Sequence, residues 1–364
     1  MLRYNDVLLH TVIFLISVGL VMVYSASTNP LASEVSGLSI LVKQIIWIAI
    51  GSFMFLVASQ INYKKLIKLS KGFLLLSIFF VILGYITSYG STTARWVSLF
   101  GANLFQTSEL AKIAIIIFTA SFIDNNKRKI SDYNFMIKNF YPYIVILLGL
   151  ILLQPDLSSS FMIAAIVFTM LFVAGLDFKQ IKFLIISGFI LFVSKFGVLP
   201  LIYSNNSYDF QQNRFFGFIS GSSTQQQNSI DSIASGGPLG LGLGQSMWKG
   251  DYVALPQTDF IFSVITSELG MFGFLILFVS FIVFFLRGIS IVKESKDVFG
   301  MFLALGITLN ITFYFVVHVG YNIGLLPTTG LPLPFVSYGG SHTLFNLIQV
   351  GLLLSISSKI KNER

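Results

Sequence analysis

Asp259 stands in the stretch L-P-Q-T-D-F-I-F, residues 255–262, at the mouth of a long apolar run that opens at Phe260. Partial desolvation there raises a carboxylate's hold on a proton, which suits a general base. Other ionisable residues lie where the surrounding sequence is apolar. Glu109 and Lys112, in T-S-E-L-A-K, are three apart and share a helix face; they read either as an internal ion pair or as part of a substrate site. Asp156, in Q-P-D-L, follows the helix-breaking Pro155 and reads either as the cap of the next helix or as a functional acid. Arg95 and Trp96 set a fixed cation beside an aromatic, as headgroup anchors do. Glu268, in S-E-L-G, lies about two and a half turns beyond Asp259. Charge within a membrane span costs a few kcal/mol, so each such residue is a functional hypothesis by default. Lys43 and Lys195 sit near span ends and can snorkel; His318 reads as a satisfied interior histidine.

The elements that must position these residues follow from composition. Of 364 residues, 55% are hydrophobic and only 10% charged, against about a quarter charged in soluble domains. This is the composition of an all-α polytopic membrane protein. The formal charge of +8 points to no nucleic acid, because the basic residues fall in short connections where they set orientation. Cysteine is absent, which excludes disulfides and thiolate metal sites, and three scattered histidines offer no metal-ligand spacing.

Ten apolar runs are expected to span the membrane, at 8–25, 40–59, 73–89, 106–123, 141–154, 157–175, 182–199, 259–286, 299–320 and 339–358. The first, with Arg3 before it and Ser-Ala-Ser after, reads as an uncleaved signal anchor. Placing both termini in the cytoplasm puts 17 of the 23 Lys and Arg inside, leaving Lys43, Arg95, Lys112, Lys195, Arg214 and Lys249 outside or within spans. That arrangement obeys the positive-inside rule and puts Asp259 at the exterior.

One long connection remains, residues 200–258, and loops of that length are usually functional. Within it Ile230 and Ile233 have helical spacing, and Gly236-Gly237-Pro238 is a stop signal. G-L-G-L-G, 240–244, lacks the Lys-Ser/Thr ending of a phosphate loop; its glycines suit close passage of the backbone past another segment or a substrate. No internal repeat supports a secondary transporter. Arg95, Glu109, Lys112, Asp156 and Asp259 all map to the outer half of the membrane or its surface, which suggests work on a lipid headgroup there.

The motifs G-L-V-M-V-Y-S-A-S (19–27), R-W-V (95–97), F-Q-T-S-E-L-A-K (105–112), Q-P-D-L (154–157), A-S-G-G-P-L-G-L-G-L-G (234–244), L-P-Q-T-D-F-I-F and L-L-P-T-T-G-L-P-L-P-F-V-S-Y-G-G-S (325–341) together resemble the SEDS family of FtsW, RodA and SpoVE. The resemblance covers nearly the whole chain as one domain, 1–364. It implies a peptidoglycan glycosyltransferase that polymerises lipid II outside the bacterial cytoplasmic membrane and releases undecaprenyl pyrophosphate. It also implies a class B penicillin-binding protein and other divisome membrane proteins as partners, with a septal location of the FtsW type; a RodA-type elongation polymerase, a lipid II flippase and a division scaffold are the alternatives. Asp259 falls on the family's essential acid. Arg95, Trp96, Glu109, Lys112 and Asp156 fall on its shared positions, and Gly236, Gly237, Ser337, Tyr338, Gly339 and Gly340 lie in its motifs as expected substrate-binding residues.

The chain departs from the family at several points. The family commonly reads L-P-E-x-H-T-D-F, whereas Pro256-Gln257-Thr258-Asp259 is two residues shorter and lacks the Glu and His. Thr107 replaces a usual Pro, Leu241 a frequent Lys, and Thr329 the Lys of P-T-K-G. One base is then expected to suffice, because a lipid pyrophosphate leaves without protonation, unlike the alkoxide a glycosidase must expel. Arg95, Lys112 or a divalent cation such as Mg2+ could steady the departing pyrophosphate; no resident cofactor is called for.

Overall fold

Each of the ten apolar runs contains a helix in the computed structural model, which describes residues 6–28, 36–87, 95–99, 102–154, 156–193, 214–249 and 255–362. The helices include α1 (Asp6–Ser27), α2 (Ser36–Gln60), α3 (Lys65–Thr87), α4 (Thr107–Asn125), α5 (Tyr133–Asn139), α6 (Tyr141–Leu153), α7 (Leu157–Val173), α8 (Phe178–Val193), α9 (Thr224–Gly236), α10 (Ile261–Glu294), α11 (Val298–Asn322) and α12 (Gly340–Asn362). Pro155, Arg3, Lys195 and parts of the long connection (200–213 and 250–254) lie outside the described residues.

Among the described residues six helices, α1, α2, α3, α10, α11 and α12, are long and apolar enough to cross a membrane; α5 and α6, bent by 50° at Phe140, make a seventh if they form one span. Helix α4 carries Glu109, Lys112 and Asp124 within nineteen residues, and α7 has seventeen residues. Helix α3 begins eight residues before the expected 73, since Lys65, Lys68 and Lys71 extend it beyond the apolar run; lysine is a good helix former. The all-α expectation misses an antiparallel hairpin, β1 (Trp96–Leu99) with β2 (Ala102–Gln106), which pairs Trp96 with Gln106 and Val97 with Phe105. Strands this short carry too little alternation to be read from the chain.

The chain divides into two compact units, one of residues Met1–Ile61, Arg214–Ser290 and Thr308–Arg364, the other of Asn62–Asn213 and Ile291–Ile307. In the first, α12 lies along α2, and glycines bring the helices close: a Cβ at Gly351 would stand 2.6 Å from the Phe55 carbonyl oxygen. Small residues serve this purpose where lipid removes the hydrophobic drive between helices. In the second unit α4 is the central helix, its run Ile113–Phe118 entirely buried, with Gly306 against Ile116 and Met170. Phe53, Phe79 and Phe161 face outward, each more than half exposed, as lipid-facing side chains do.

Candidate active site and its supports

The Asp259 turn is built from backbone. Thr258 N and Asp259 N both donate to the Leu255 carbonyl, at 3.0 and 3.1 Å, just ahead of α10. Leu255 takes φ +50°, a left-handed conformation that costs a non-glycine residue of order 1–3 kcal/mol. The segment after α11 braces this turn from the other side. Ser337 Oγ donates to the Thr258 carbonyl at 2.7 Å and accepts from Leu333 N at 2.8 Å, and Tyr338 N donates to the Gln257 carbonyl at 2.9 Å. Gln44 on α2 holds the same segment, accepting from Gly339 N at 3.2 Å. Phe335, at φ +66°, is the other non-glycine residue with positive φ among the described residues. The two strained residues thus lie in the two loops that touch through Ser337.

From α11, Tyr321 Oη donates to the Asp259 carbonyl and Asn322 Nδ2 reaches it at 3.3 Å. His318 is buried as expected, but only half satisfied: Nδ1 lies 2.7 Å from the Leu331 carbonyl, while Nε2 is buried with no hydrogen-bond partner among the described residues. The Asp259 side chain faces Gly330. A Cβ placed there would lie 3.2 Å from Asp259 Oδ2 and 3.6 Å from Arg214 Nη1, so a carboxylate and a guanidinium both reach the bare face of Gly330. No local pattern in the sequence distinguishes Arg214 as a member of this site.

The expected glycine positions divide by task. A Cβ at Gly236 would stand 2.3 Å from the Thr266 carbonyl oxygen, so glycine lets the end of α9 rest on α10; Gly237 is exposed, with open space at its Cβ and φ +56°. Gly340 sits against the Trp47 ring. Helix α10 is broken at Gly270, φ 60° and ψ −147°. Carbonyls of Ser267 and Glu268 near the break accept instead from Leu241 N and Gly242 N, at 3.0 and 2.9 Å. A broken span needs such replacement partners from protein, because lipid supplies none.

Close to this break lies a cluster that no sequence pattern announces. Lys249 pairs with Glu268, Ser25 Oγ donates to Glu268 Oε2 at 2.6 Å, and Lys249 Nζ donates to the Ser25 carbonyl at 3.0 Å. All three residues are buried. G-L-V-M-V-Y-S-A-S thereby acquires two tasks: Ser25 enters this network, and Gly19 lets α1 approach the Val336 backbone, where a Cβ would stand 2.7 Å from Cα.

The second unit holds the other expected site residues. Lys112 Nζ and Glu109 Oε1 pair at 2.9 Å, with both residues at 2% exposure or less. Asp156 caps α7 by accepting from Ser159 N at 3.1 Å, while its Oδ2 accepts from Ser108 Oγ at 3.0 Å and Gln106 Nε2 at 3.2 Å. That ties the start of α7 to the start of α4. Thr107 N donates to the Arg95 carbonyl at 3.1 Å and Thr107 Oγ1 to Gln154 Oε1 at 3.1 Å; a proline at 107 would lack both donors. Arg95 and Trp96 are half-buried beside these contacts. Among the described residues no three His, Asp or Glu side chains gather as metal ligands.

The family description "Cell cycle protein", covering FtsW, RodA and SpoVE, matches residues 6–362. A probable peptidoglycan glycosyltransferase FtsW from Trichlorobacter lovleyi is 36% identical over 99% of this chain and 94% of its own length. The protein of that name from Bacillus subtilis is 33% identical over 98% and 91%. A solved chain from a study of polymerization and crosslinking by a peptidoglycan synthase complex superposes with TM-score 0.82 at 22% identity, covering 99% of both chains. A multi-pass membrane glycosyltransferase is the class these helices and relatives define. The chain belongs to the FtsW/RodA/SpoVE family.

Proposed function

We propose that this glycosyltransferase polymerises lipid II into glycan strands at the outer face of the bacterial cytoplasmic membrane. Asp259 takes the proton from the acceptor sugar's 4-hydroxyl as that oxygen attacks the anomeric carbon of the donor. The donor's bond to undecaprenyl pyrophosphate breaks, and direct displacement turns an α-linked donor into a β-linked product. The leaving group needs no protonation, so the loss of the family's Glu and His beside Asp259 leaves the reaction complete with one base. The observation that carries this reading is the Asp259 carboxylate at Gly330 with Arg214 on the same bare face, at the mouth of an apolar helix. The lipid-borne sugars of both substrates lie at that level of the membrane.

In this reading the ten helix-bearing runs cross the membrane, both termini are cytoplasmic and the connection 200–258 is external. A class B penicillin-binding protein crosslinks the strands as they emerge, in company with other divisome membrane proteins at the septum. The structural relative, from work on a peptidoglycan synthase complex that coordinates polymerization and crosslinking, supports this partnership. Asp259→Asn keeps the shape and hydrogen bonding of the side chain and loses the base, which typically costs about 10²- to 10⁴-fold in rate. The test is purified protein with its partner on labelled lipid II. Polymerisation by Asp259→Asn within a few-fold of wild type would remove Asp259 as the base, and lipid transport into vesicles without polymer would favour a flippase.

A further inference from the structure

Leu239, Leu241, Leu243 and Met247 stand 80, 44, 55 and 74% exposed on the segment that leaves α9. Apolar side chains gathered this closely on a surface mark an interaction site. The backbone holds them outward. Gly240, Gly242 and Gly244 take φ +78°, +99° and +81°, and a Cβ at Gly240 would stand 2.2 Å from the Glu268 carbonyl oxygen. Glycine is thus pressed to the helix while the leucines are exposed.

The docking site of this segment fixes what surrounds it. Leu241 N and Gly242 N donate to the carbonyls of Ser267 and Glu268, and Met271 N donates to the Pro238 carbonyl at 3.1 Å. The segment therefore lies alongside residues 267–271, at the top of the helix that continues to Glu294. Met271 and Phe272, which open that continuation, are 55 and 61% exposed, and Leu275, Phe278 and Val279 prolong the same outward apolar face. From Met271 to Arg287 the helix rises about 24 Å, sixteen steps of about 1.5 Å, less than the roughly 30 Å of a bilayer's hydrocarbon. With Arg287 at one headgroup layer, Met271 falls short of the other. Charge is also withdrawn from the segment. Residues 232–248 contain no charged side chain, and the next one, Lys249, is turned inward to Glu268.

We infer that residues 239–247 are immersed in lipid at the hydrocarbon edge of the leaflet on the Asp259 side. The Gly-Leu repeat is a bilayer anchor that sets the height of the Asp259 turn, with Leu239, Leu241, Leu243 and Met247 among the acyl chains. This rests on α10 as a membrane span and is independent of the reaction assigned to Asp259.

The chain contains no cysteine, so single labels are specific. Leu241→Cys and Met247→Cys, each carrying a polarity-sensitive fluorophore, are reconstituted without partner in vesicles of phosphatidylglycerol and phosphatidylethanolamine. Phe272→Cys serves as the lipid reference and Gln227→Cys as the water reference. Quenching by acyl-chain nitroxide lipids is expected within about twofold of Phe272→Cys, with iodide excluded from both labels as from other lipid-buried groups. Iodide quenching equal to that of Gln227→Cys overturns the inference. Exclusion of both quenchers also overturns it and assigns the patch to protein contact. Labelled variants must elute with the wild-type profile, and each of the two positions decides the question by itself.

Discussion

Lys249 and Glu268 form an ion pair with both side chains at 1% exposure or less, and Ser25 bonds to both partners. Three segments far apart in the chain, the end of α1, the segment after the Gly-Leu repeat and the last turn before the Gly270 break, are tied at this point. The pair holds the segment that leads into the Asp259 turn.

Breaking a buried pair by removing one partner leaves the other charge stranded and typically costs about 3–5 kcal/mol. Lys249→Met and Glu268→Gln are each expected to lower stability by about that amount, measured by thermal unfolding in detergent. The double variant Lys249→Met/Glu268→Gln should recover most of the loss. Additive losses in the double variant would show that the two residues do not act as a pair.

Gly330→Ala is expected to slow polymerisation about tenfold or more, equivalent to about 1.4 kcal/mol or more at the barrier. The added methyl meets Asp259 Oδ2 at 3.2 Å, and φ +69° at this position strains any L side chain. Rates on labelled lipid II at saturating substrate, with the elution profile as a folding control, provide the check. An unchanged rate would mean that the reactive face of Asp259 lies away from Gly330.

Lys112→Met should reduce both stability and polymerisation, because it strands the buried Glu109 carboxylate. Adding Glu109→Gln removes the stranded charge. If the pair serves the reaction as well as the fold, stability returns in the double variant while activity stays low. Recovery of both would leave the pair a structural role alone.

Ser222→Cys, the sole cysteine in that variant, should react with a membrane-impermeant maleimide on intact cells. Ser222 is exposed and lies ahead of α9 in the connection read as external. Labelling only after the cells are opened would invert the orientation, and with it the side on which Asp259 works.

Much of this architecture is legible along the chain. Apolar runs mark the helices, because in lipid a backbone must satisfy its own hydrogen bonds. Ile230, Ile233 and the Gly236-Gly237-Pro238 stop mark α9, which spans Thr224–Gly236. The spacing of Glu109 and Lys112 gives their ion pair, and the place of Asp156 gives its cap on α7. Each of these rests on neighbours a few residues apart, within reach of one helical turn.

Residue order alone is enough to mark a helical membrane protein of the FtsW/RodA/SpoVE family, with a carboxylate at the head of an apolar helix. What stands around that carboxylate follows from packing in three dimensions. Ser337 reaches back to Thr258, Arg214 and Gly330 meet at Asp259, and Lys249 finds Glu268 and Ser25. Gly240 seats itself on a helix whose break at Gly270 no propensity announced. These contacts join residues from about twenty to more than two hundred positions apart. Local propensity acts over a few residues, whereas packing, close backbone approach and the pairing of buried charge are properties of the assembled chain.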